Sequence, residues 1–268
     1  MRRATSRVSW EHHERPHIVE LGTERALFRL TKQLPDLVWN AAALEGNTFT
    51  LPEVRTLLDG VTVGGKALAE QQQILDLSEA FNLLHELVIN EKYAVDKATS
   101  DALHAVLARN EALDAGLFRG EGHVEGDGGG VRLMDGGFIS FDPAEELGEA
   151  HADLLASLQG CGDPVEQALA YFCSATRSQF YFDGNKRTAR LVASGLLLRH
   201  GYSALNIPHA RRLEFNLALD ELFRADDATT LMDFLYDCLA ESPSKRRILE
   251  VRERQRPSAS KAEGLLGR

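Results

Sequence analysis

The chain reads as an all-α protein with one small inserted β-hairpin. Two observations predict this: apolar residues recur at three- and four-residue steps along most of its length, and a single Asp-Gly step stands between short apolar runs. At 268 residues, with 44% hydrophobic and 26% charged residues, the composition is that of a soluble globular protein with an ample core. No apolar run approaches the roughly 20 residues that a bilayer-spanning helix requires.

Leu27, Leu30, Leu34, Leu37, Val38, Ala41 and Leu44 define the first helix, which Pro35 is expected to kink or split. Gly46-Asn47 should end it. Thr50 and Glu53 form a capping box for the next helix, with Val54, Leu57 and Leu58 on its apolar face. Ile74, Leu77, Phe81, Leu84 and Val88 make the clearest stripe. Ser100 is then expected to cap a helix through Leu103, Val106 and Leu107, and Gly116 to Gly130 is glycine-rich loop. Residues 131 to 141, VRLMDGGFISF, read as the hairpin. Helical patterns resume after Pro143, after Pro164, from Arg187 to His200 with Gly201 as its cap, and through Leu213 to Phe223 and Leu231 to Leu239. No internal repeat is evident. Residues 1–20 are expected to be a flexible terminus, 21–240 the folded body, and 243–268 a basic, mobile tail.

Charge and cysteine content narrow the function classes. The net charge of −10 disfavours nucleic acid or anionic lipid as partners of the body, since basic patches gather such partners. Eight Lys/Arg stand against three Asp/Glu from Ser244 to Arg268, so basicity is confined to the tail. Cys161, Cys173 and Cys238 are too widely spaced for a C-x-x-C motif and read as buried or incidental thiols. The charged start, MRRATSRVSWEHHERPH, lacks the apolar stretch of a secretory signal. A cytoplasmic location without membrane association is the expectation.

One segment is more polar than packing requires: Gln179-Phe180-Tyr181-Phe182-Asp183-Gly184-Asn185-Lys186-Arg187-Thr188-Ala189-Arg190. Gly184-Asn185 can turn successive backbone N–H groups toward one point, and the helix that follows adds the positive end of its dipole. Arg187 and Arg190 lie three residues apart on the first turn, where the dipole disfavours cations. Their placement suits a polyphosphate, which guanidinium groups bind in a bidentate manner. Asp183 is a hard carboxylate able to hold Mg²⁺. A polar interhelical loop without ligand is the bland alternative.

These residues resemble the core motif of the Fic family, H-x-F-x-[D/E]-G-N-[G/K]-R-x-x-R, with Tyr181 in the phenylalanine position and the Lys186-Arg187-Thr188 version similar to the Doc branch. The resemblance covers roughly Leu30 to Leu239. Leu44-Glu45-Gly46-Asn47 looks like the family's N-terminal inhibitory helix, within about residues 21–46. Ala41 replaces its leading Ser/Thr. Leu103-His104 and Gly116-x-x-Arg119 look like the segment before the flap, and the hairpin like the flap itself, with Met134, Gly137, Phe138 and Ile139 docking a target.

The resemblance implies transfer of AMP, or another phosphate-containing group, from ATP with Mg²⁺ to a hydroxyl of an unnamed target protein. Asp183 would hold the metal, Gly184, Asn185 and Lys186 would supply N–H groups, and Arg187 and Arg190 would bind the outer phosphates. Glu45 would pair with Arg190 and inhibit. The departure is Gln179, which replaces the motif histidine that takes the proton; an amide orients a hydroxyl but does not titrate near neutrality. A weak or atypical transferase, a nucleotide-binding pseudoenzyme, a Doc-like phosphotransferase and a helical interaction protein all stay open. So does pairing of two copies. His200 lies about 15–20 Å along the helix, too far to replace the base. His85, His104 and His209 should pack or face solvent, and His12, His13 and His17 are a weak metal candidate.

Overall fold

The computed structural model describes residues 1–240, so the expectation of a basic tail over 243–268 lies outside the described residues. Two short strands, β1 (Arg2–Ala4) and β2 (Ser9–Glu11), open the chain. They are followed by α1 (Thr23–Leu44), α2 (Leu51–Leu58), α3 (Leu68–Ile89), α4 (Lys97–Leu107), the hairpin β3 (Gly130–Arg132) and β4 (Phe138–Ser140), then α5 (Leu147–Leu158), α6 (Pro164–Ser178), α7 (Asn185–Arg199), α8 (Arg212–Ala225) and α9 (Thr229–Ala240). The protein is all-α with two small antiparallel hairpins. No described helix is long and apolar enough to cross a membrane.

Helix α7 is the axis of the fold. It is buried from Arg187 to Leu198 and packs most extensively on α6, with α4, α3 and α1 completing its surround. Such burial on all sides removes the usual amphipathic alternation and leaves small residues where neighbours come close. A Cβ at Gly195 would stand 2.1 Å from the Tyr93 ring, so only glycine fits there.

Several local expectations hold and some differ. Pro35 lies inside α1 without splitting it. Thr50 and Glu53 form the capping box of α2. Asp96, not Ser100, caps α4, accepting from the Thr99 N–H at 2.7 Å; Ser100 instead faces inward and meets the Tyr181 hydroxyl at 2.8 Å. The hairpin at residues 131–141 forms with Val131 opposite Ile139. It is not the sole sheet, as β1 and β2 pair within the segment expected to be flexible. That terminus is held by tertiary contacts: Trp10 is fully buried and its indole N–H donates to Glu166 at 2.8 Å. Ser9 N–H donates to the Asp226 carbonyl at 2.9 Å. Cys173 and Cys238 are buried, Cys161 is half-buried, and none of the three forms a disulfide among the described residues.

Candidate active site

The motif segment joins α6 to α7. Gln179 ends α6 in the left-handed conformation, φ 52°, and Gly184 begins α7 with φ 72°. A positive φ costs glycine nothing and a glutamine of order 1 kcal/mol, so the turn at Gln179 is strained. The Asn185 side chain closes the loop between them, accepting from the Tyr181 N–H at 2.8 Å and donating to the Tyr181 carbonyl at 2.7 Å.

Both polar ends of the Gln179 side chain are hydrogen-bonded. Its amide donates to the Thr176 carbonyl at 2.6 Å, and its side-chain oxygen accepts from Asn185 at 3.2 Å. The residue therefore braces the loop. Tyr181 departs from a phenylalanine only by its hydroxyl, which donates to Asp101 at 2.8 Å as well as meeting Ser100. Burial pushes the Tyr181 phenol far above its ordinary range.

A cleft of about 440 Å³ opens over this loop. Its walls include Leu44 and Glu45 at the end of α1, Gln179 and Asp183 to Arg187 from the motif, Val131 to Met134 from the hairpin, and Arg212, Asn216 and Asp220 on α8. Of the sequence-predicted residues, Glu45, Met134, Gln179, Asp183, Gly184, Asn185, Lys186 and Arg187 are brought together there, while Gly137, Phe138, Ile139 and Arg190 are not among its described walls. Arg190 is fully buried.

The three motif cations differ sharply. Lys186 pairs with Glu45 at 3.1 Å. Arg187 donates to Glu111 at 2.8 Å and contacts Asp183 at 3.3 Å. Burial is the largest influence and pulls the Arg187 pKa down, but the hydrogen bond and charge of Glu111 together with the charges of Glu45 and Asp183 outweigh it and raise the pKa overall. Arg190 has two guanidinium nitrogens, Nε and Nη2, without a hydrogen-bond partner among the described residues. Burial pulls its pKa down to about 10, with the nearby Glu45 charge opposing that fall. The expected Glu45–Arg190 ion pair is therefore replaced by Glu45–Lys186. Glu45 reaches Lys186 through Oε2, and its Oε1 is buried without a hydrogen-bond partner among the described residues.

Asp183 carries the metal candidacy. Its carboxylate is 59% exposed and faces the cleft, while Oδ1 accepts from the Gly184 N–H and contacts Arg187. The Gly184 N–H is therefore turned to Asp183 and away from the anion position expected for it. One exposed carboxylate fits Mg²⁺, which commonly binds through one or two carboxylates with phosphates and water supplying the rest.

Two scaffolding residues emerge from structure. His104 is buried between the Gly116 N–H, which donates to Nδ1 at 2.8 Å, and the Asp183 carbonyl, 2.9 Å from Nε2. Nε2 thus bears the proton. The ring stacks on Tyr181 at 3.8 Å, and burial lowers its pKa to about 4. Arg119, also buried, donates to the carbonyls of Gln179 (2.9 Å), Gly126 (2.5 Å) and Asp142 (2.9 Å), tying the hairpin's base to the motif. His104 packs, as expected; its hold on the loop had no local signal. His85 and His209 are half-buried and His200 is exposed. His12, His13 and His17 line a second cavity of about 430 Å³, but no group of three or more metal-binding side chains suited to an ion stands among the described residues.

The hairpin presents Met134 and Phe138, 51% and 55% exposed. Its turn is fastened to α8: the Met134 N–H donates to Asp220 at 2.9 Å and Asp135 pairs with Arg224 at 2.6 Å.

A helical domain whose buried central helix begins in a polar anion-type loop, overhung by a hairpin, defines a class, and the comparisons agree with it. Residues 74–197 match the Fic/DOC family, and the chain carries a Fic/DOC family domain there. It is 25% identical over 207 residues to the protein adenylyltransferase Fic of Drosophila mojavensis, covering 75% of this chain and 39% of that protein. It is 26% identical over 207 residues to that of Drosophila grimshawi, covering 75% and 40%. The chain thus spans about two fifths of the length of these curated relatives. Among solved structures, Fic-1 of C. elegans superposes with a TM-score of 0.65 at 20% identity, covering 86% of this chain and 73% of that one. A Fic domain containing signaling protein of Bacteroides thetaiotaomicron gives 0.64 at 21%, covering 81% and 87%. These likenesses show the fold.

Proposed function

We propose that the chain is a Fic-type protein adenylyltransferase held inactive by Glu45 and slowed by Gln179. The observation that carries this is the pair of unpartnered groups at the head of α7. A fully buried guanidinium with two free N–H-bearing nitrogens, near an equally unpartnered carboxylate oxygen, costs several kcal/mol to keep unless a ligand repays it. An anion that displaces Glu45 supplies what Arg190 lacks. ATP fits, with Arg187 and Arg190 on its outer phosphates and the N–H groups of Asn185 and Lys186 on its oxygens. Asp183 would hold Mg²⁺, which when bound neutralises phosphate charge.

In the reaction, a target hydroxyl oxygen attacks the α-phosphorus, the bond to the bridging oxygen breaks to release pyrophosphate, and the hydroxyl proton passes to solvent water. Met134, Gly137, Phe138 and Ile139 would place the target beside the cleft. Gln179 accepts no proton, and its amide is already committed to Thr176 and Asn185. Losing a general base removes about 10²–10⁴ of rate, while positioning and charge stabilisation survive. That same commitment supports a second reading, a nucleotide-binding regulator that transfers nothing.

The test uses ATP labelled at the α-phosphate. The Glu45→Gly protein should label itself or a target slowly, and Glu45→Gly with Gln179→His should do so about 10²–10⁴ faster. Absence of label from both, with ATP bound, would leave the regulator reading.

A further inference from the structure

Arg187 is held by a group outside the motif, and that group leads back to Glu45. Glu111, in the turn after α4, accepts from Arg187 Nη1 at 2.8 Å through Oε1. Its other oxygen accepts from the Gln73 side chain at 3.1 Å. Gln73, on α3, uses its own side-chain oxygen to accept from Asn47 at 2.8 Å. Asn47 stands two residues beyond Glu45 and donates also to the Glu70 carbonyl at 3.0 Å. The bonds converge on the carboxylate: Asn47 donates to Gln73 and Gln73 to Glu111, while Arg187 donates to Glu111 from the other side.

The arrangement places Glu111 behind the arginine. Arg187 lines the cleft and Glu111 is not among the cleft's described walls, so the carboxylate fixes Nη1 from behind, while Nη2 meets the cleft-facing Asp183 at 3.3 Å. A side chain only 3% exposed has few rotamers open once one end is anchored, so the anchor sets where the charge sits. At the far end, Asn47 fixes the turn by which α1 stops, and hence the reach of Glu45 toward Lys186.

We infer that Glu111 is a positioning residue for Arg187 and that Gln73 links it to the turn carrying Glu45, so that the anion-binding arginine and the inhibitory carboxylate are set together. Removal of Glu45 from Lys186 would pull on Asn47 and pass to Arg187 through two side chains. The consequence for ligand binding rests on the nucleotide function proposed above; the linkage itself does not.

The experiment separates them. Gln73→Met removes both hydrogen bonds at nearly constant volume. In the ligand-free full chain, solvent exchange of the Arg187 guanidinium protons, followed by nuclear magnetic resonance, should rise at least fivefold in Gln73→Met, with the Arg119 protons as unchanged reference. Exchange that stays within twofold, or that rises equally at Arg119, overturns the link. In calorimetric titration with Mg·ATP, Gln73→Met should tighten binding at least threefold in the parent and less than twofold in the Glu45→Gly protein. Equal changes in both backgrounds overturn the coupling to Glu45. If no variant binds Mg·ATP, the nucleotide function fails, and the exchange result alone decides the link.

Discussion

Arg119 and Arg190 are both fully buried, and they teach opposite lessons. Arg119, at the base of the hairpin, spends its donors on three backbone carbonyls. Arg190, on the first turns of α7, keeps Nε and Nη2 without hydrogen-bond partners among the described residues. A guanidinium satisfied by backbone is scaffold; one buried without hydrogen-bond partners on two nitrogens is stability given up for a ligand.

The sharpest break of this contrast is replacement of each by methionine. Arg119→Met strands three carbonyls and should cost about 4 kcal/mol in urea unfolding. Arg190→Met should be neutral or stabilise by about 1 kcal/mol, because an apolar side chain suits that place better. Similar losses from both would erase the distinction.

Acid acts through single groups of somewhat smaller effect. His104 and His151 are buried with pKa values lowered to about 4 by burial, against about 6.5 when unfolded. A depressed histidine pKa means that the folded state favours the neutral ring. The stability is therefore full above about pH 6.5 and is lost as pH falls toward 4, by up to about 3 kcal/mol for each. Unfolding free energies between pH 7 and 4.5 should show this decline, and His104→Gln should remove roughly half of it. A flat profile would mean that neither ring is held neutral.

The smallest effect concerns the aromatic floor of the loop. Tyr181→Phe deletes a hydroxyl that meets Ser100 and Asp101, and should cost about 1 kcal/mol. A gain in stability would show that the hydroxyl is a burden in this site.

How much was legible in the sequence follows from the range of the interactions. The stripe through Ile74, Leu77, Phe81 and Leu84 and the capping box at Thr50 are local, and local periodicity carries them. Asp183 to Arg190 is one contiguous run, so its chemistry could be read without a fold. The strands at residues 2–11 could not: they are three residues each, and Trp10 is ordered by Glu166, which lies 156 positions away. The partner of Glu45 is Lys186 and not the expected Arg190 for a similar reason. Lys186 and Arg190 are one turn apart on α7, and only the approach of α1 selects between them. Glu111 and Gln73 carry no motif, since a surface acid and a surface amide look alike wherever they fall.

The central claim is that Arg190 is kept for an anion that Glu45 excludes. The direct test is calorimetric titration of Mg·ATP into Glu45→Gly and into Glu45→Gly with Arg190→Met. Micromolar binding to the first, weakened by about 1.5–3 kcal/mol in the second, is the result predicted. Equal affinity of the two proteins, or no binding to either, would contradict it.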